Sequence, residues 1–131
     1  MPESHPFSAI LDEHFISLAT FKRSGEEVRT AVWFAEADGR LYLRTLANSG
    51  KVKRIRNDAR VRIAPCDMVG KVSGAWLAAE ARALSPGDPA LARADQALDA
   101  KYGEERREMS RLMAQQGKQL EFVEIRATGA R

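Results

Sequence analysis

A period of two returns repeatedly along this chain. In VRTAVWFA (28–35), Val28, Thr30, Val32 and Phe34 fall on one side, and Arg29, Ala31 and Trp33 on the other. That alternation suits a half-buried strand, not a helix. RVRIAPC (60–66) and QLEFVEIRA (119–127) alternate too, and RLYLRT (40–45) is a further strand. FISLATFK (15–22) is rich in β-branched and aromatic residues. AWLAAEARAL (75–84) suits strand or helix by propensity. As a strand it puts Trp76, Glu80 and Arg82 on one face, where Glu80 can pair with a neighbouring strand's arginine. Turn signals separate the first three stretches: SGEE around Gly25, then EADG with its Asp38-Gly39 pair. They predict an antiparallel meander.

Three segments have a different texture. In NSGKVKRIRND, Ser49 or Asn48 caps a short helix, Val52 and Ile55 face inward, and the helix stops near Asn57-Asp58. Asp88 caps a second helix, Pro89 occupies its first turn, Gly103 ends it, and Leu91, Leu98 and Tyr102 mark its apolar stripe. A third opens with Glu104 and Glu105 at its positive dipole end and stops at Gly117. Met109, Leu112 and Met113 form its expected inward face, read as packing rather than as a cofactor box. Pro65 and DMVGKVSG read as a loop. The sum is one mainly β domain over 1–131: six to seven antiparallel strands in a small barrel, a short helix after the third strand, and a helical insertion at about 88–117 before the last.

Several function classes drop out. Composition, 44% hydrophobic and 30% charged, argues against disorder. Cys66 is the only cysteine, so no internal disulfide forms; a reducing, cytoplasmic setting is expected, with Cys66 a small core residue. No apolar run reaches the roughly 18–20 residues that span a bilayer, and MPESHPFSAI lacks a secretion signal's pattern. His5 and His14 are the only histidines, and no metal-ligand spacing, nucleophile elbow or phosphate-binding glycine fingerprint is present. No metal and no catalytic side chain is assigned. If the chain is an enzyme, a bound cofactor carries the chemistry. Nucleic-acid binding is not expected, because no aromatic lies within 46–75 to stack a base.

Positive charge gathers at one place. Lys51, Lys53, Arg54 and Arg56 follow Ser49-Gly50 where a strand gives way to a helix. A helix start offers unpaired N–H groups and the positive end of the macrodipole, an anion site that phosphate commonly fills. Ser49 can add a hydroxyl, Thr45 stands close in sequence, and Lys51 and Arg54 at i, i+3 can close over one anion. A solvated basic helix face is the competing reading. Arg29 and Trp33 share a strand face, from which Arg29 can meet a second acidic group and Trp33 a flat ring. Trp33 as a core or interface aromatic is the alternative, and Trp76 is expected in the core.

Residues 15 to about 85, with RTAVWF, LYLRT and SGKVKR at these spacings, resemble the pyridoxamine-phosphate-oxidase-like split β-barrel flavoproteins, and within them the deazaflavin (coenzyme F-420)-dependent oxidoreductases. The resemblance implies a homodimer with the cofactor between subunits, and hydride transfer to or from a small organic substrate. It implies phosphate contacts at Arg29, Thr30, Val32, Thr45, Ser49 and Lys51. Gly50, Arg54 and Trp33 join these as candidate binding residues. Ala31 departs from the proline many relatives carry there. Lys53, Arg54 and Arg56 suit the deazaflavin's acidic tail and favour it over FMN. A non-catalytic flavin or haem carrier of the same fold is the rival expectation.

Overall fold

A computed structural model describes residues 7–8, 10–47 and 49–128; His5 and Asn48 lie outside them. One antiparallel sheet contains β1 (Phe15–Phe21), β2 (Glu27–Val32), β3 (Ala35–Ala37), β4 (Arg40–Leu46), β5 (Arg60–Cys66), β6 (Leu77–Ala83) and β7 (Leu120–Ala127). Its order is β2-β1-β5-β6-β7-β4-β3. The helices are α1 (Gly50–Asn57), α2 (Ala90–Tyr102) and α3 (Glu104–Gln115). The two edge strands, β2 and β3, are linked through Trp33 and Phe34 alone. A sheet whose opposite edges are so close in the chain must curl back on itself, and the result is a half-closed barrel.

This corrects the expected meander. β2 pairs with β1 and β3 with β4, but β2 does not pair with β4. VRTAVWFA is therefore two strands. The break has a tertiary cause. The Tyr102 hydroxyl accepts from the Phe34 N–H at 2.9 Å and shares its own hydrogen between the carbonyls of Phe34 (2.8 Å) and His14 (2.9 Å). Buried backbone groups need partners, and here a helix far along the chain provides them.

Inside the curl, Ile16, Leu18, Leu41, Leu43, Ile63, Val123 and Ile125 are fully buried. Each contributes roughly 1.5–3 kcal/mol by leaving water. α1 inserts Val52 and Ile55 as its spacing requires. α2 lies on the outer face: Ala90 and Ala94 pack near Tyr42 and Leu84, and Leu98 and Tyr102 near Ala35. Leu91 is only partly buried. Asp88 caps α2 by accepting from the Ala90 N–H at 2.9 Å.

The strand reading of β6 holds. Glu80 pairs with Arg126 of β7 at 2.6 Å, and Arg82 with Glu124 at 2.8 Å. Pro65 belongs to β5 rather than to the loop. Pairing of β5 with β6 ends at Ile63, so its missing N–H costs no bond on that side. Trp76 is not a core residue either. It is half-buried, with the guanidinium groups of Arg29 and Arg62 over its ring at 4.7 and 4.8 Å.

Candidate functional site

The ends of β2 and β4, the start of α1 and one side of α3 surround a cavity of about 270 Å³. Ala31, Val32, Trp33 and Leu46 make much of its apolar wall, and Thr45 and Lys51 supply polar groups at the α1 end. Arg44 and Arg106 also line it, and among the described residues no carboxylate does.

Local sequence explains the α1 end. Ser49 is extended, and its oxygen accepts from the Val52 N–H at 3.4 Å, which caps the helix. Its hydroxyl hydrogen remains available to an anion. Lys51 donates to Thr45 Oγ1 at 3.1 Å, again leaving the threonine's own hydrogen to give. Burial, and then the nearby Arg54 charge, push the Lys51 pKa down. The ammonium is thus short of compensation, a state that an incoming anion relieves.

Arg54 takes a different position. A Cβ on Gly50 would lie 2.7 Å from its Nη1, so glycine lets the guanidinium fold over the first helical turn. Its Nε donates to Thr20 Oγ1 at 2.6 Å. With Lys22, Arg23 and Lys53 it lines a neighbouring hollow of about 260 Å³ rather than the cavity itself. Lys51 and Arg54 thus flank the helix start from two sides instead of closing over one point. Arg56 is engaged by Glu121.

The β2 candidates divide. Val32 and Trp33 line the cavity. Trp33 stacks on Tyr102 with centroids 4.5 Å apart and planes 8° from parallel. Arg29 does not line it; its guanidinium is paired with Glu27 and lies over Trp76. Thr30 lies opposite Leu18 in register, and its buried Oγ1 has no hydrogen-bond partner.

Sequence reasoning missed the α3 side. Of that helix only Arg106 is buried, while Met109 and Leu112 are exposed. Met109 and Met113 line the cavity, which corrects their expected packing role. Arg44 and Arg106 were not singled out, because Arg44 stands alone in its strand and Arg106, beside Arg107 in a mixed-charge run, reads as solvated helix surface. Cys66 is buried, and burial first, then Asp67 and Glu13, push its thiol pKa up, so it is a poor nucleophile. Among the described residues no group of three His, Cys, Asp or Glu is placed to hold a metal, and no helix is long and apolar enough to cross a membrane.

No protein-family model and no curated protein matches the chain. Solved structures do. Rv2991, a conserved hypothetical protein from Mycobacterium tuberculosis, is similar with a TM-score of 0.67 and 25% identity, over 98% of this chain and 82% of that one. The haem storage protein HutZ from Vibrio cholerae matches with a TM-score of 0.69 and 11% identity, over 91% and 84%. The fold is a split β-barrel. A FAD-binding protein from Mesorhizobium loti shares it, with a TM-score of 0.62 and 15% identity over 93% of this chain and 84% of its own. A Listeria innocua protein named as a candidate pyridoxamine 5'-phosphate oxidase is also among the matches. At these identities the likeness establishes architecture; chemistry has to be argued from the cavity.

The residues present fit a flavin-type group on two counts. The donor set at the α1 end is cationic and hydroxylic, as a phosphate requires. The neighbouring wall is apolar and carries an indole, as a flat ring requires.

Proposed function

We propose that the chain is an oxidoreductase that binds a flavin-type coenzyme, the deazaflavin F-420 in first place and FMN as the alternative. One observation carries this reading: Lys51 and Thr45 line a cavity together with Val32 and Trp33, and among the described residues no carboxylate lines it. Lys51, Thr45 and Ser49 hold the phosphate. Val32, Trp33 and Leu46 cover one side of the ring and exclude water from it. When bound, the coenzyme supplies hydride chemistry. The protein supplies position and a dry, charge-matched surface, so no acid–base pair of its own is needed. Lys53 and Arg54, in the hollow across α1, suit the deazaflavin's acidic tail and favour it over FMN. The volume lies just under the roughly 300–1,000 Å³ usual for small-molecule sites. A coenzyme of this length needs another wall, and a second copy of the chain, as a homodimer, provides it.

Equilibrium dialysis with F-420 and with FMN, followed in parallel by Trp fluorescence, tests the reading. Binding in the micromolar range is expected, weakened at least tenfold, or about 1.4 kcal/mol, by Lys51→Glu. Undiminished affinity in that variant removes the site. A second reading, a carrier of flavin or haem without turnover, draws support from HutZ. It predicts binding, or a haem Soret band on titration, with no coenzyme oxidation by enones, quinones or nitro compounds.

A further inference from the structure

Three cationic side chains line the cavity, and the coenzyme reading uses only one. Lys51 stands at the α1 end; Arg44 of β4 and Arg106 of α3 line the same cavity from β4 and the helical pair. Arg106 is 7% exposed. Asp95 takes two of its donors, one through the carboxylate and one through the carbonyl, and the Asp99 carboxylate lies 3.7 Å from Nη1. Its Nε is buried and has no hydrogen-bond partner. Arg44 donates through Nη2 to Ser110 Oγ at 2.8 Å, and among the described residues no carboxylate forms an ion pair with it. Arg44 also feels Arg106: burial first, then that second positive charge, push its pKa down, against a weaker opposing pull from Asp95.

A buried donor without a partner is costly, and two like charges lining one partly desolvated cavity add to that cost. An anion with two coplanar oxygens offsets both costs, because the guanidinium fork matches it in geometry and charge. Trp33, Met109 and Met113 line the same cavity, and the methionines, flexible and polarizable, suit a flat carbon skeleton.

We propose that Arg44 and Arg106 form a carboxylate subsite, which receives a flat organic acid with its apolar body against Met109, Met113 and Trp33. That the acid is the second reactant rests on the coenzyme reading above. The carboxylate preference does not.

The test uses the full chain and a matched pair of probes, 2-naphthoate and 2-naphthamide, titrated by equilibrium dialysis and Trp fluorescence. The acid is expected to bind at least tenfold more tightly than the amide. Arg106→Met and Arg44→Met should each bring that ratio to within twofold. Arg106 also ties α3 to α2, so circular dichroism checks each variant's fold. Arg44, half-buried with Ser110 as its side-chain partner, keeps the test decisive if the Arg106 variant unfolds. Equal affinity for acid and amide, a ratio that survives in folded Arg variants, or a preference for 2-naphthyl phosphate overturns the subsite. Repeating the titration with saturating FMN separates the two readings. Acid and FMN bound together assign the acid as the second reactant. Mutual exclusion overturns that assignment and makes the arginines a contact for the coenzyme's own acidic groups. Acid preference in a chain that binds no flavin leaves the subsite standing and removes the coenzyme reading.

Discussion

Replacing Tyr102 with phenylalanine removes one oxygen and keeps the ring. The stack on Trp33, at 4.5 Å between centroids, has no reason to change. The crossover between the two sheet edges does. The hydroxyl is the partner of the Phe34 N–H, and Phe34 is fully buried. Stranding that donor costs about 1–3 kcal/mol, and the carbonyls of Phe34 and His14 lose a shared hydrogen worth about 1 kcal/mol more. The expected loss is about 2–4 kcal/mol, which lowers Tm by roughly 6–16 °C in a domain of this size. Burial pushes the Tyr102 pKa up to about 12, so the hydroxyl stays protonated at the pH where an ordinary tyrosine is half ionised. The assay is urea unfolding at neutral pH, read by circular dichroism and Trp fluorescence, with amide hydrogen exchange at Phe34. Because Trp33 lines the cavity, FMN affinity should fall as well. A stability change below about 0.5 kcal/mol with Phe34 still protected would refute the claim that this hydroxyl fixes the break between β2 and β3.

Three further outcomes follow from buried charge. Glu124 is 3% exposed and accepts from Tyr42 (2.8 Å), Arg82 (2.8 Å) and Arg40 (3.2 Å). Burial opposes its charge, but these partners outweigh it and hold its pKa below 4.5. Its contribution is therefore complete above pH 4.5 and is lost as pH falls through the lower folded value. Glu124→Gln should cost about 1–3 kcal/mol at pH 7 and flatten stability against pH in acid, measured by urea titrations at several pH values. Lys101 sits 3.5 Å from the centre of the Phe34 ring and donates to the Glu13 carbonyl at 2.7 Å. Burial lowers its pKa to about 8. Between pH 8 and 10.5 the unfolded chain keeps a proton the folded chain has released, so stability should rise with pH there, and Lys101→Met should abolish that rise in thermal melts. Lys51 loses charge below the ordinary 10.5, so FMN affinity should drop on the alkaline side before that pH; Lys51→Arg, which keeps its charge, should delay the drop in dialysis measurements.

Where a signal was local, the chain could be read. The α1 cap at Ser49, the inward Val52 and Ile55, and the Asp88 cap all depend on neighbours within a few residues. Cross-strand pairs such as Glu80 with Arg126 follow once the period of two fixes which side chains share a face. The break at Trp33 and Phe34 could not be read this way. Alternation runs through it, and neither glycine nor proline marks it. Tyr102 makes the break, and a tyrosine on a helical stripe reads as packing whether or not its hydroxyl has a task.

The site was half legible for the same reason. Lys51, Thr45 and Ser49 are close in sequence, so a motif could bring them together. Arg44 and Arg106 meet only because α3 overhangs the end of β4. α3 also shows how a correct period misleads. Met109, Leu112 and Met113 do form one stripe, but α2 already covers the outer face at Tyr42, Leu84 and Ala35. The stripe therefore borders the cavity or faces outward instead of joining the core. An apolar helical face that a finished core leaves over is free to serve a ligand. Here it lies beside two arginines, one with an unpartnered buried donor. The sole buried side chain of α3 is that guanidinium: Asp95 and Asp99 of α2 account for its Nη groups and for the docking of the two helices, but not for the buried Nε that no partner meets.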